Sequence, residues 1–384
     1  MNYKLIIEDF FFNNYINIRY LKLNIYIKTM GIFDLMRKTN SNEVMFFEQA
    51  SVGLKAIVAI DNTVLGPALA TCRLYNYEDE EGAIDDAISI AYHNTFRSAL
   101  LRRSFGGGSI VLYGDPKKVK NEMYFRALGI YLNKLSGKIF IAKGPGINFN
   151  DLLDIKRESK YILGLDEKNI VTDANQIIST AKGMLWGIKA AVKEKMDKPN
   201  LQDLTFVVQG VGEVGSNLIQ GLLKEKANVI ITDLIYDKIK VIQDKVPNIK
   251  VVKPDEIYKE KCDVFCACAV DGLITKKNVS QLNCRILTGS VNRICENNEF
   301  YGTLAEKNIL YVPGHIINSG EIIQFSNELE KYDSAKSEEE LIDIYHITLN
   351  ILKQSKATGK TPDEIAYEMA KTYVTNVAAI KMLR

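Results

Sequence analysis

Three glycines, Gly210, Gly212 and Gly215, stand in G-x-G-x-x-G spacing between the apolar run LTFVVQ and the helical pattern SNLIQGLLKEK. A strand that turns into a helix through this spacing has few folds open to it. The first glycine permits the tight turn, the second lets a backbone come close to a pyrophosphate, and the third allows helix and strand to pack closely. The chain then re-emerges as the strand-like NVIITD, so the order is strand, helix, strand. Further short apolar runs, DVFCACA, CRILTG and ILYVPG, follow at spacings that a doubly wound parallel sheet requires.

Asp233 ends the next strand, 23 residues after Gly210. An acid at that point accepts hydrogen bonds from ribose hydroxyls and repels a 2′-phosphate, so NAD is the expected cofactor and NADP is disfavoured. Amides at the helix N-terminus supply donors for the phosphates. The bland alternative is a Rossmann-type fold whose loop no longer holds a ligand.

Upstream, VMFFEQ, LKAIVAID, SIVLYGD and KIFIAKG read as strands between helical patterns, EEGAIDDAISIAYHNTFRSALL and KVKNEMYFRALGIYLNKL among them. A helix is expected from Asn175 to Lys195, with Ile178, Ala181, Leu185 and Ile188 at helical spacing. The end is helical too. SEEELIDIYHITLNILKQS stops near Gly359, and Thr361-Pro362-Asp363-Glu364 has the form of a capping box that opens a last helix. The expected architecture is therefore α/β in two domains with a cleft between them, an N-terminal α/β substrate-type domain and a Rossmann domain. The boundaries expected are 30–165 plus 345–384 for the first and 166–344 for the second.

Charge argues for a small ligand: 49 basic and 47 acidic side chains nearly cancel, so neither nucleic acid nor a membrane surface is an expected partner. Cys72, Cys262, Cys266, Cys268, Cys284 and Cys295 lie mostly in apolar runs, which suits a reduced, cytoplasmic chain. CDVFCACAV reads as a buried strand rather than a metal site, and no metal is expected. Residues 1–29 are interrupted too often by Asn, Lys, Arg and Asp for a bilayer span. They read as an upstream extension or a misplaced start, since a more typical amphipathic stretch opens at Met30.

From Met30 onward the chain resembles the leucine dehydrogenase group of the glutamate, leucine, phenylalanine and valine dehydrogenases. The matching segments are GLKAIVAIDNTVLGPAL, YEDEEGAIDDA, GGG followed by VLYGDP, GMLWGIKAA, VVQGVGEVGSNL, VIITDL and HIINSG. Residues 1–29 have no counterpart in it. The resemblance implies a homo-oligomer and reversible NAD-dependent oxidative deamination of an L-amino acid. It also implies that Thr180 and Asn292 lie near the nicotinamide and that Asn318 faces the cleft.

The resemblance breaks at the catalytic half. A lysine that polarises substrate is expected directly after Gly106-Gly107-Gly108, where this chain has Ser109. An acid/base aspartate is expected after the next strand, and Pro145 is read at that position. The lysine expected to bind the substrate carboxylate aligns with Arg97, whose planar fork has a different reach. Ala70 and Thr71 replace paired glycines, and Leu100, Leu101 and Arg102 replace small residues, changes expected to crowd a pocket. Losing a positioned acid/base costs about 10² to 10⁴ in rate, so the inherited reaction is expected to be impaired or absent. The leading expectation is an NAD-binding, dehydrogenase-like protein that has lost or greatly reduced deamination, acting as a ligand sensor or a partner in an oligomer. The alternative is an active NAD-dependent oxidoreductase with a rebuilt site, in which Lys143, Arg103 or His93 supplies the proton chemistry. Their bland readings are a solvated strand end, a surface or oligomer contact, and a packed helix residue. His315, in the loop leading to Asn318, is read as a structural histidine that could face the cleft, and His346 is given no function.

Overall fold

Alternating strands and helices close into two sheets in a computed structural model that describes residues 31–39, 41–165, 173–270, 272–297, 299–331 and 334–383. The extension expected at 1–29 and the residues just beyond the expected boundary at 165 lie outside this set. In the first half the elements are α1 (Ile32–Thr39), β1 (Glu43–Gln49), β2 (Leu54–Asn62), β3 (Ala68–Tyr75), α2 (Glu80–Leu100), β4 (Gly106–Tyr113), α3 (Pro116–Val119), α4 (Glu122–Lys134), β5 (Ile139–Lys143) and α5 (Phe149–Lys156). The five strands lie in the order β1-β2-β4-β3-β5. β2 is antiparallel to β1 and β4, while β3 runs parallel to β4 and β5.

β3 is an addition to what the sequence suggested. Its residues ALATCRLY are mostly buried and several are small, so no polar alternation announces a strand. α2 is easier to derive: Asp79 caps it by accepting the Gly82 N–H, and Ala83, Ile84, Ala87, Ile88 and Ala91 form its buried stripe.

The second half comprises α6 (Asp173–Met196), β6 (Thr205–Gln209), α7 (Glu213–Lys224), β7 (Asn228–Thr232), α8 (Tyr236–Lys245), β8 (Lys250–Val251), β9 (Val264–Ala267), β10 (Ile286–Gly289), α9 (Phe300–Glu306), β11 (Leu310–Tyr311), α10 (Gly314–Ile317), α11 (Gly320–Leu329), α12 (Ser334–Glu340), α13 (Ile342–Thr358) and α14 (Pro362–Lys381). The strand order is β11-β10-β9-β6-β7-β8, parallel throughout. The chain moves outward from β6 to β8 and then returns to the other side of β6 with β9. That reversal opens a crevice beyond the carboxyl ends of β6 and β9, where ligands of such sheets bind.

The last helices tie the halves together. α13 ends at Gly359, which adopts a left-handed φ of 75°, and Thr361 and Glu364 make both hydrogen bonds of the capping box that starts α14. α14 returns to the first half, where Tyr367 stacks on Phe96 at 5.8 Å and Tyr373 lies under Arg102 at 5.9 Å. The largest apolar cluster is continuous from one half to the other, joining Phe96 and Leu100 to Met184, Phe206, Ile317 and Ile365. Among the described residues no helix is long and apolar enough to cross a membrane, and no group of three or more His, Cys, Asp or Glu is placed to hold a metal.

Candidate functional site

At the carboxyl end of β6 the glycines divide the labour that their spacing suggests. Gly210 has φ +100°, and a Cβ there would lie 2.6 Å from the Ala269 backbone nitrogen, two residues past β9. Gly215 packs so closely that a Cβ would collide with the Gly210 carbonyl oxygen. Gly212 faces open space within 4 Å, and as N-cap of α7 it gives the helix no side-chain cap. The first amides of α7 thus receive no side-chain cap from the residue that opens the helix. Asp233, just past β7, accepts the Val211 N–H at 2.8 Å and the Ile235 N–H at 2.9 Å, which fixes its carboxylate beside the loop. Cys268 lies beneath the loop, its thiol pushed up to about 11 by burial, so it packs there as a neutral group.

A second polar cluster lies where the two halves meet. Arg97, in the last turn of α2, is 5% exposed. Its Nε donates to Ser319 Oγ at 3.1 Å and its Nη1 to Asn94 Oδ1 at 3.3 Å. Its Nη2 donates to the Asn318 carbonyl at 3.1 Å and to Glu321 Oε1 at 2.9 Å. The other Glu321 oxygen accepts from Gln176 Nε2 at 2.9 Å, and the same amide reaches the Lys143 carbonyl at 3.3 Å. Asn318 Nδ2 donates to the Ser290 carbonyl at 2.8 Å and to Asn292 Oδ1 at 3.0 Å. Asn318 Oδ1 is buried without a hydrogen-bond partner among the described residues. Thr180, one turn along α6 from Gln176, donates to the Gln176 carbonyl at 3.0 Å and lies against the start of α11. The structure therefore brings Arg97, Asn318, Asn292 and Thr180 together.

Ser109 and Pro145 are placed differently. Ser109 is fully buried in β4, under α2, where its hydroxyl donates to the Ala87 carbonyl at 2.6 Å. Pro145 is exposed in the turn that follows β5, which closes through the Ile147 N–H to the Gly144 carbonyl at 3.2 Å with Gly146 at φ +81°. Proline followed by a positive-φ glycine is the residue pattern of a type II turn. Of the substitutions expected to crowd the pocket, Thr71 accepts from Asn94 Nδ2 at 3.2 Å near the Arg97 cluster. Ala70 faces the core of the first sheet, Leu100 and Leu101 join the shared core, and Arg102 lies at the surface.

The three alternative proton donors have definite surroundings. Lys143, at the end of β5, points across the cleft with Nζ 3.6 Å from Glu213 in the first turn of α7. Arg103 is held between Glu340 at 2.7 Å and Asp343 at 2.8 Å. His93 lies with its ring 6.1 Å from that of His315. His315 is buried in α10, and that burial, with the charges of His93 and Arg97, lowers it to about 3.

Glu321, Gln176 and Ser319 escaped the sequence reading. The segment HIINSG stops one residue short of Glu321, and an acid in the first turn of a helix reads as ordinary macrodipole compensation. Nothing local says that its partner is 224 residues away.

Comparison with known proteins places these geometries in a lineage. Residues 42–164 match the family described as Glu/Leu/Phe/Val dehydrogenase, dimerisation domain, and residues 231–381 match Glutamate/Leucine/Phenylalanine/Valine dehydrogenase. The chain is similar to leucine dehydrogenase of Bacillus subtilis (strain 168), 34% identical over 331 residues that cover 86% of this chain and 90% of that one. It is 32% identical to phenylalanine dehydrogenase of Bacillus thermotolerans over 91% of this chain and 93% of that one. The crystal structure of L-tryptophan dehydrogenase from Nostoc punctiforme superposes with a TM-score of 0.76 at 30% identity, covering 90% of this chain and 99% of that chain.

Proposed function

The chain belongs to the glutamate/leucine/phenylalanine/valine dehydrogenase family, and from that premise we propose that it binds NAD while having lost, or nearly lost, oxidative deamination. The observation that carries this reading is a contrast within one molecule. The glycine loop is open at Gly212 and its helix N-terminus has no side-chain cap. Ser109, by contrast, spends its hydroxyl on a helix carbonyl, and Pro145 shapes a turn.

The residues present fit the dinucleotide. Gly210, Gly212, Gly215 and the first amides of α7 would hold its pyrophosphate, and Asp233 would accept from the adenosine ribose and repel a 2′-phosphate. Thr180, Asn292 and the unpartnered Asn318 Oδ1 are assigned to the nicotinamide end of the cleft. When bound, NAD supplies a hydride acceptor. A buried serine hydroxyl and a proline ring supply no proton acceptor of useful basicity to accompany it. The protein then works as an NAD-dependent binding module in a homo-oligomer. Lys143 favours a second reading, an active oxidoreductase with a rebuilt site, because its ammonium reaches across the cleft to Glu213.

Titration with NAD, NADH and NADP, followed by absorbance at about 340 nm after adding a panel of L-amino acids, separates these readings. We expect saturable NAD binding tighter than NADP binding and no reduction above the uncatalysed rate. NADH formation with many turnovers per chain would establish the active enzyme instead. Absence of binding to all three nucleotides would remove the proposal.

A further inference from the structure

We infer that Glu321 is the built-in occupant of the anion site made by Arg97, and so decides which ligands the cleft accepts. This deepens the proposed function and rests on it, since Arg97 can select ligands only if the cleft still receives them.

A guanidinium at 5% exposure needs an anion, because an unpaired buried charge is costly. Here the anion comes from within. Glu321 Oε1 accepts from Arg97 at 2.9 Å while Oε2 accepts from Gln176, so both carboxylate oxygens are satisfied. The pair is supported from both sides. Arg97 stands in the last turn of α2 and Glu321 in the first turn of α11, so each charge sits at the helix end whose dipole favours it. Asn94, Ser319 and the Asn318 carbonyl take other guanidinium donors and fix its plane.

A ligand carboxylate that sought Arg97 would have to expel Glu321. The expelled side chain would stay nearby, tethered at high effective concentration, and its charge would lie in a partly buried position against Gln176. The incoming anion gains one ion pair and the protein loses an equivalent one, so no net driving force remains for a carboxylate at this point. Glu321 is thus a specificity-determining residue: it removes the gain that amino acids and 2-oxo acids would draw from their carboxylate at Arg97 and leaves the binding of uncharged groups unaffected.

The test uses the full chain saturated with NADH and compares the wild type with Glu321→Ala and Glu321→Gln by calorimetric titration. The probes are α-ketoisocaproate and isobutyl methyl ketone, which shares much of the skeleton but lacks the carboxylate. We expect Glu321→Ala to bind α-ketoisocaproate at least about tenfold tighter than the wild type, with a smaller gain for Glu321→Gln and no gain for the ketone. The gain should vanish in the double variant Arg97→Met, Glu321→Ala. Should the alanine variant fail to fold, the near-isosteric glutamine variant still reports the loss of charge. Equal α-ketoisocaproate affinity in the wild type and both folded variants overturns the inference. NADH binding, read first in the same cell, tells this failure apart from failure of the proposed function.

Discussion

At the scale of single residues, burial shifts the titration of two neighbours in opposite directions and favours the neutral form of both. Asp363, in the first turn of α14, is raised to about 6, chiefly by burial, with Glu364 adding to the rise and a hydrogen bond with Tyr301 opposing it. His315 lies 3.7 Å away and is lowered to about 3 by burial and by the charges of His93 and Arg97. A carboxyl that holds its proton more tightly folded than unfolded contributes stability that is full below its unfolded value of 3.8 and is lost as pH rises through about 6. A depressed histidine does the reverse: its contribution is full above 6.5 and is lost as pH falls through about 3. Between these limits the two slopes oppose one another, so the wild-type melting temperature should change little from about pH 6 to about pH 4. Asp363→Asn cannot ionise. It should melt above the wild type near pH 8, with the gap closing toward pH 4, and thermal melts across that range check it. A constant offset at every pH would mean that Asp363 titrates alike in the folded and the unfolded chain.

At the scale of elements, what the sequence revealed depended on how local its cause was. The strand, loop and helix around Gly210 were readable because hydrophobic period and glycine spacing change together within a few residues. Thr361 with Glu364 was readable because a capping box is complete in four. β3 was not, since its small buried residues lack the alternation of a half-exposed strand. The same locality separates two glycines of one loop. A Cβ on Gly212 meets open space, so Gly212→Ala should cost about 1 kcal/mol or less in stability, the range of an N-cap change. It should nonetheless weaken NAD binding by at least about tenfold, because the methyl enters the space proposed for the pyrophosphate. Gly215→Ala drives its methyl into the Gly210 carbonyl and should lose about 1–3 kcal/mol of stability before any ligand is added. Urea unfolding and NAD titration of both variants read the two effects separately. Intact NAD affinity in a folded Gly212→Ala chain would move the pyrophosphate away from this loop.

At the scale of the whole molecule, contacts between residues far apart in the chain govern the site, and these are what the sequence could not show. The expectation that Arg97 faces a substrate came from family resemblance, whereas its partner Glu321 appears only when α2 and α11 are brought together. Arg103 teaches the same lesson away from the cleft. Read from the sequence as a source of proton chemistry or as a surface or oligomer contact, it links the loop after α2 to Glu340 and Asp343 on α12 and α13. Its side chain is 13% exposed, so these ion pairs are screened less than surface ones but are not sealed from water. Arg103→Ala should therefore cost about 1–3 kcal/mol, between the exposed and the fully buried limits, since it leaves Glu340 and Asp343 facing one gap. Arg103→Lys keeps the charge, but one ammonium replaces a fork that reaches two carboxylates at once, so it should recover only part of the loss. Urea midpoints at low and high salt test this, and the difference between wild type and Arg103→Ala should shrink as salt rises. If Arg103→Met, which preserves most of the apolar stem, matches the wild type at low salt, the stem rather than the charge joins these helices to the first half.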